Sequence, residues 1–331
     1  NDADLANDFS IPRQASTTMA LCELSPSSLR TNLVILRALG ALAALETPIG
    51  DDRGVLRMVP RGPHGNESIG ASALGAVALL QCRRFRRDAG IKGYDDHDAL
   101  IGRLARMLLQ QQRADGSFQH WIATASGDSV NAPPTLYADG QAVLALVLLE
   151  EIASESAGVF PPRAELHSAV DRAMDYFGND YWDHFLAPFF FIEENWHCLA
   201  ARAALGHHRH DAYERFCIDY VSFKHRLLHT GGVHDDFLGG YGFGNVVPPH
   251  NTATAGYGEA LAAAIAILRA RSEDSSWAED DMRAVMAFLL KNQWSREACY
   301  ACDHPNRVVG AFSEHMASPQ IRIDYVQHAW A

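Results

Sequence analysis

Two stretches decide how this chain folds: Arg103–Phe118, RLARMLLQQQRADGSF, and, a little farther on, Asp139–Leu146, DGQAVLAL. The first carries a helical apolar period up to Arg113 and then breaks at Asp115-Gly116; the second opens a new helix. Between them lies a long loop, Ala114–Ala138.

Working outward with the same 3.6-residue period, helices are expected at Ser25–Glu46, Ser68–Arg87, Asp95–Arg113, Asp139–Ala153 and Arg163–Phe177. Five more follow at Glu194–Leu205, Asp211–Leu228, Thr252–Arg271, Trp277–Asn292 and Pro319–Trp330. The first should start at Ser25 as N-cap with Pro26 in the first turn. Hardly any strand is expected. Connections alternate. They are long at Thr47–Glu67, Ala114–Ala138, Gly178–Glu193, His229–Asn251 and Trp294–Ser318. They are short at Asp88–Tyr94, Ser154–Pro162, Gly206–His210 and Ser272–Ser276. Antiparallel neighbours would then carry every long loop at one end, the way a rigid scaffold builds a functional face.

Helix starts that follow long loops hold unusual residues. They include Tyr137-Ala138-Asp139-Gly140-Gln141, Glu193-Glu194-Asn195-Trp196-His197, and Pro248-Pro249-His250-Asn251-Thr252. The last helix contains Arg322-Ile323-Asp324-Tyr325-Val326-Gln327-His328. Capping and the helix dipole account for Asp139, Asn251, Thr252 and the glutamates. They do not account for Trp196, His197, Tyr325 or His328, nor for the four-residue spacing that sets Asp324 beside His328. The cluster His207-His208-Arg209-His210 lies in a short loop and is expected to be solvated surface.

Composition is that of a globular protein, 48% hydrophobic and 21% charged, with net charge −12 and pI near 5.7. Such an acidic chain lacks the basic stripe of a nucleic-acid partner and has little attraction for anionic membranes. Cys22, Cys82, Cys198 and Cys217 lie in apolar stretches and read as buried thiols. Cys299 and Cys302, with His304 nearby, form the sole C-x-x-C pair, expected to be reduced; without a second pair they make only a weak zinc alternative. No metal or cofactor is otherwise called for.

Gln112-x-x-x-Gly116-x-Phe118 resembles the repeat motif of squalene and terpenoid cyclases, in which the glutamine caps a helix and the aromatic packs on the next hairpin. The whole layout resembles the α/α-toroid superfamily, whose members include those cyclases, prenyltransferase subunits, lanthionine cyclases, six-hairpin glycosidases, sugar 2-epimerases and polysaccharide lyases. The resemblance implies one all-α domain over 1–331, an α/α toroid of five to six helical hairpins, with residues 1–23 as the possible source of a sixth. It implies a fold and leaves the reaction open.

Individual branches differ in what they require. The nearest match to the acidic D-x-D-D motif of class II cyclases is Val233-His234-Asp235-Asp236, which lacks its first acid. Carbohydrate-active branches need carboxylates and aromatics facing a cleft, by hydrolysis, elimination or epimerisation of a small-molecule or oligosaccharide substrate. For hydrolysis the candidate pair is Asp139 with Glu194. For proton abstraction it is His250 with Tyr325, assisted by Arg322 or Asn251, with His328 as a further proton carrier. Substrate contacts are expected from Tyr137, Gln141, Trp196, His197, Asp235, Asp236, Tyr241, Asn251, Arg322 and Asp324, with Trp121, Trp182 and Phe243 as further flat surfaces. The loop Gly239–Gly244 should present Tyr241 and Phe243. The competing classes are a peptide- or isoprenoid-modifying cyclase and a non-enzymatic binding scaffold.

Overall fold

A computed structural model describes the chain except residues 1–8, 27, 58–65, 157, 181–193, 243, 245 and 301. Trp182, Glu193 and Phe243 therefore lie outside the described residues. The elements run α1 (Ile11–Leu24), α2 (Leu29–Ala43), β1 (Glu46–Ile49), β2 (Arg53–Leu56), β3 (Asn66–Ser68), α3 (Ile69–Asp88) and α4 (Asp98–Gln111). They continue with β4 (Trp121–Ala123), β5 (Ser129–Val130), α5 (Ala138–Ile152), α6 (Arg163–Asp175) and a π-helical turn, Tyr176–Asp180. Then come α7 (Asn195–Ala204), α8 (Asp211–His225), α9 (Asn251–Ala270), α10 (Ser276–Asn292), α11 (Pro305–Val308) and α12 (Ile323–Trp330). Among the described residues, no helix is long and apolar enough to cross a membrane.

Each of the ten expected segments contains a helix. The first departs at its start: Ser25 closes α1, and the N-cap of α2 is Ser28, whose hydroxyl accepts the Thr31 N–H. Helix α1 itself escapes the periodic reading because polar Ser16 and Thr18 occupy buried positions. Their hydroxyls bond back to the carbonyls of Arg13 and Gln14 at 3.1 and 2.7 Å, so the helix satisfies them internally. The strands sit inside the long loops, as a β1–β2 hairpin and an antiparallel β3–β4–β5 sheet. At two to four residues each they are too short to show a period of two.

Contacts divide the chain into two compact units, one over Ser10–Phe216 and one over Cys217–Ala331, the division falling within α8. In the first, α1 packs on α3, α3 on α5 and α5 on α7, while α2, α4 and α6 are the return helices. The near-continuous apolar run of α5 is buried throughout Gly140–Glu150, as an inner helix requires. In the second unit α9 packs on α10 and α12.

The Gln112 motif ties the end of α4 to α6. Gln112 Nε2 donates to the Ala169 carbonyl of α6 at 2.8 Å, and Arg172 donates to Gln112 Oε1 at 2.8 Å. Phe118 is buried. Gly116 has φ 98°, and a Cβ there would fall 2.0 Å from the Arg172 carbonyl oxygen. Left-handed strain and backbone overlap add, so Gly116→Ala should cost about 2–4 kcal/mol, read as a lower urea midpoint at unchanged m-value. Gly239 in the second unit repeats the device, with φ 83° and its Cβ site 2.1 Å from the Ala284 carbonyl oxygen of α10.

The cysteine expectation is corrected. Cys22 and Cys82 form a disulfide joining α1 to α3, Cys299 and Cys302 form a second, Cys198 and Cys217 are also oxidised, and no free cysteine remains. Proximity across the α1–α3 interface, invisible in sequence spacing, made the Cys22–Cys82 pair, whereas Cys299 and Cys302 stand three residues apart. The Cys299/Cys302/His304 zinc alternative loses its thiolates by the same observation. Because the Cys22–Cys82 bond closes a loop of 60 residues, its reduction should cost about 2–4 kcal/mol. Thermal unfolding with and without reductant measures this, with Cys22→Ala/Cys82→Ala as the reference.

Candidate functional site

The start of α5 is built from the unit around it. Strand β4 follows His120, whose side chain is buried, and Trp121 lies beside it half-exposed, its indole N–H held by the Pro133 carbonyl at 2.7 Å. The backbone N–H of Thr135 donates to His120 Nδ1 at 2.8 Å. That bond places the proton of a neutral imidazole on Nε2, which lies 2.9 Å from Asp139 Oδ2 and donates to it. The other carboxylate oxygen, Asp139 Oδ1, is buried and has no hydrogen-bond partner among the described residues. Buried acceptors are seldom left unmatched, so this oxygen marks a place for a donor that the described residues do not provide.

Tyr137, the residue before α5, sits at φ 68°. Holding a tyrosine in the left-handed region costs about 1–2 kcal/mol, and such strain clusters at functional sites. The chain also passes from α6 into a π-helical turn carrying Tyr176, a distortion frequent at such places. Burial raises the Tyr176 phenol, and the charges of Asp115 and Asp139 raise it further.

Glu194 occupies the N-cap position of α7, its side chain 7% exposed against 21% for Asp139. Helices α5 and α7 cross closely because Gly140 has no side chain: a Cβ there would lie 2.7 Å from the Cβ of Trp196. His197 is wholly buried, with Nδ1 2.7 Å from the Tyr213 hydroxyl and Nε2 3.6 Å from Glu194 Oε2. Desolvation lowers its pKa to about 3, so it is a neutral group that positions its neighbours. Tyr213 is pushed well above the usual phenol range by burial, then by the charges of Glu194 and Asp139.

The neutral His197 has a consequence for stability. Its folded pKa lies below its unfolded value, so between about pH 3 and 6.5 the unfolded chain binds the extra proton. Stability contributed by this site is complete above pH 6.5 and falls as pH drops, by about 1.4 kcal/mol per pH unit once well below it. Urea unfolding at pH 7, 5.5 and 4.5 should show this slope, and His197→Gln should flatten it.

Other expected contacts in this unit are interior. Trp196 and Gln141 are buried, Gln141 in the α5 interior facing Gly70 of α3. The structure thus brings together Asp139, Glu194, Tyr137 and His197. It adds His120, Tyr176 and Tyr213, which sequence reasoning passed over. Only His120 left a signal, two residues beyond Phe118 on the same buried face of an extended segment.

The second unit holds a separate group. His250 caps α9, its Nδ1 accepting the Thr252 N–H at 3.2 Å, which turns Nε2 to Glu314 Oε1 at 3.3 Å. Desolvation lowers its pKa, with Glu314 opposing, which favours the neutral imidazole with its proton on the Nε2 that faces Glu314. The Tyr325 ring stands edge-on to His250 with centroids 5.7 Å apart, and the Arg322 guanidinium lies 4.4 Å over Tyr325. Asp324 pairs with Arg322, and His328 bonds Glu259 of α9 at 2.9 Å, so the pair suggested by the four-residue spacing finds other partners. Asn251 donates through Nδ2 to the Ser313 carbonyl, and its unpartnered atom is Oδ1.

Asp235 and Asp236 stand exposed in a 3₁₀ turn capped by His234. Tyr241 is 4% exposed, with Lys224 Nζ 4.2 Å over its ring and Tyr257 beside it. It packs as Phe118 does after Gly116 and presents no open face.

No family model matches the sequence, and no curated protein matches it. Solved structures do. A GH76 α-mannanase from Bacteroides thetaiotaomicron superposes with a TM-score of 0.62 at 9% identity, covering 98% of this chain and 85% of its own. A cellobiose 2-epimerase from Spirochaeta thermophila gives 0.64 at 12% identity over 97% and 84%. A D-mannose isomerase gives 0.60 at 13% over 97% and 85%. At such identities the likeness speaks for fold alone, and the fold it shows is the all-α toroid.

Proposed function

We propose that this chain is an enzyme acting on a saccharide by acid/base chemistry, with Asp139 and Glu194 as its two carboxylates. The observation that carries the reading is the Asp139–His120 pair. One carboxylate oxygen is fixed by an imidazole whose tautomer the Thr135 backbone sets. The other is buried without a partner among the described residues. That arrangement suits a carboxylate which orients water or attacks a sugar carbon. Glu194, the more enclosed of the two, is the one we assign as the proton donor. The similar folds support a sugar substrate: they are a mannanase, a mannose isomerase, a cellobiose 2-epimerase and a glucoamylase.

A second reading rests on His250, a neutral imidazole set against Tyr325 and Arg322, and is proton abstraction next to a sugar carbonyl. One experiment separates them. The protein is incubated in D₂O with manno- and gluco-configured mono- and oligosaccharides, and both new reducing ends and deuterium at C2 are followed. The first reading gives reducing ends that Asp139→Asn abolishes and His250→Ala leaves; deuterium incorporation lost in His250→Ala would transfer the chemistry to the second.

A further inference from the structure

The far end of α5 carries a charge that its surroundings do not explain. From Gly140 through Glu150 every residue is buried, and Glu150 is the only ionisable one. Its side chain is 1% exposed and lies in the last turn, where the helix dipole disfavours an anion. No arginine or lysine pairs with it among the described residues; its partners are imidazoles. Glu150 Oε1 lies 2.7 Å from His167 Nδ1 of α6, and Oε2 lies 2.7 Å from His208 Nδ1 in the α7–α8 turn. The two rings face each other with centroids 4.2 Å apart. His208, expected at the surface, is buried.

We propose that Glu150, His167 and His208 form a binding site for a divalent transition-metal ion of the zinc class. One ligand atom from each lies within 4.8 Å of the others. In a tetrahedral zinc site with bonds of about 2.0–2.1 Å, neighbouring ligand atoms are about 3.3 Å apart. The present 2.7 Å contacts, one to each Glu150 oxygen, bracket that spacing from below and the 4.8 Å limit brackets it from above, so side-chain shifts of about 1 Å bring the three ligand atoms to it as metal replaces the intervening protons. Two imidazoles with one carboxylate select zinc, cobalt, nickel or copper over calcium or magnesium, which want oxygen ligands. Asp171 Oδ1 stands 3.5 Å from His208 Nε2, the outward nitrogen, where an orienting carboxylate belongs. His207 Nε2 is already turned to the Val147 carbonyl at 3.2 Å, which leaves the fourth position to solvent on the exposed His167 side. Roughly 16 Å of helix separates Glu150 from Asp139, so the ion is structural, tying α5, α6 and the α7–α8 turn together.

The test uses the untagged full chain, stripped with chelator. Zinc is titrated in competition with a chromophoric chelator, and cobalt(II) is followed by its visible absorption. The expected result is one equivalent of zinc, a tetrahedral cobalt spectrum and a zinc-dependent rise in Tm. His167→Ala, at a mostly exposed position that should not disturb folding, should weaken zinc by at least about 10–100-fold and abolish the cobalt spectrum, whereas His210→Ala retains both. Failure of the wild-type chain to compete for zinc, or undiminished binding by His167→Ala, overturns the proposal.

Discussion

Asp139→Asn should lower kcat on a saccharide substrate by about 10²–10⁴-fold while leaving the fold intact. The factor is what a positioned proton-transfer group or carboxylate contributes. The amide keeps the volume at the start of α5, so helix content and urea midpoint should hardly change. What is lost is the anion that accepts from His120 Nε2 and the free oxygen beside it. His120→Ala should reduce turnover by a smaller factor, because it removes only the group that orients the carboxylate, and its pH profile should shift while substrate KM stays close to wild type. If Asp139→Asn turned over normally, the acid/base assignment to this unit would fall.

Arg83→Ala should destabilise the protein by about 3–5 kcal/mol, the penalty for leaving a buried charge without its partner. Arg83 is 3% exposed and binds Asp98 through two bonds, at 2.8 and 3.2 Å, and Glu155 through a third at 2.7 Å. Ser156 also donates to Asp98, at 2.6 Å, so α3, α4 and the α5–α6 turn meet on one carboxylate. The guanidinium is flanked by the rings of Tyr94 and Phe160. Removing Arg83 strands Asp98, itself buried, with a single hydroxyl. The double variant Arg83→Met/Asp98→Leu removes both charges together and should lose less than Arg83→Ala alone, as measured by urea unfolding at pH 7.

Helices that bury one apolar face over three or more turns were legible in the sequence, and so was the alternation of long and short connections. Gln112, Gly116 and Phe118 were legible as a docking motif because turn, cap and aromatic recur at fixed offsets. Helix α1 was not, since Ser16 and Thr18 interrupt its apolar pattern. Asp139 and Glu194 stood out at helix starts, yet sequence spacing cannot tell a surface tyrosine from a packed one, and Tyr241 proved to be packed. His120 and Tyr213 join the site from an extended segment and from α8, a convergence set by helix packing. The Cys22–Cys82 disulfide and the Glu150–His167–His208 group were missed for the same reason, because each joins residues brought together only across helices; the Cys299–Cys302 pair was visible in its spacing, and only its oxidation state was not.

The most direct test of the central claim is a crystal structure of Glu194→Gln with a bound manno- or gluco-oligosaccharide. The acid/base assignment predicts a sugar hydroxyl, or a water poised at a sugar carbon, within about 2.6–3.2 Å of Asp139 Oδ1. A saccharide that leaves both Asp139 and residue 194 uncontacted would contradict it.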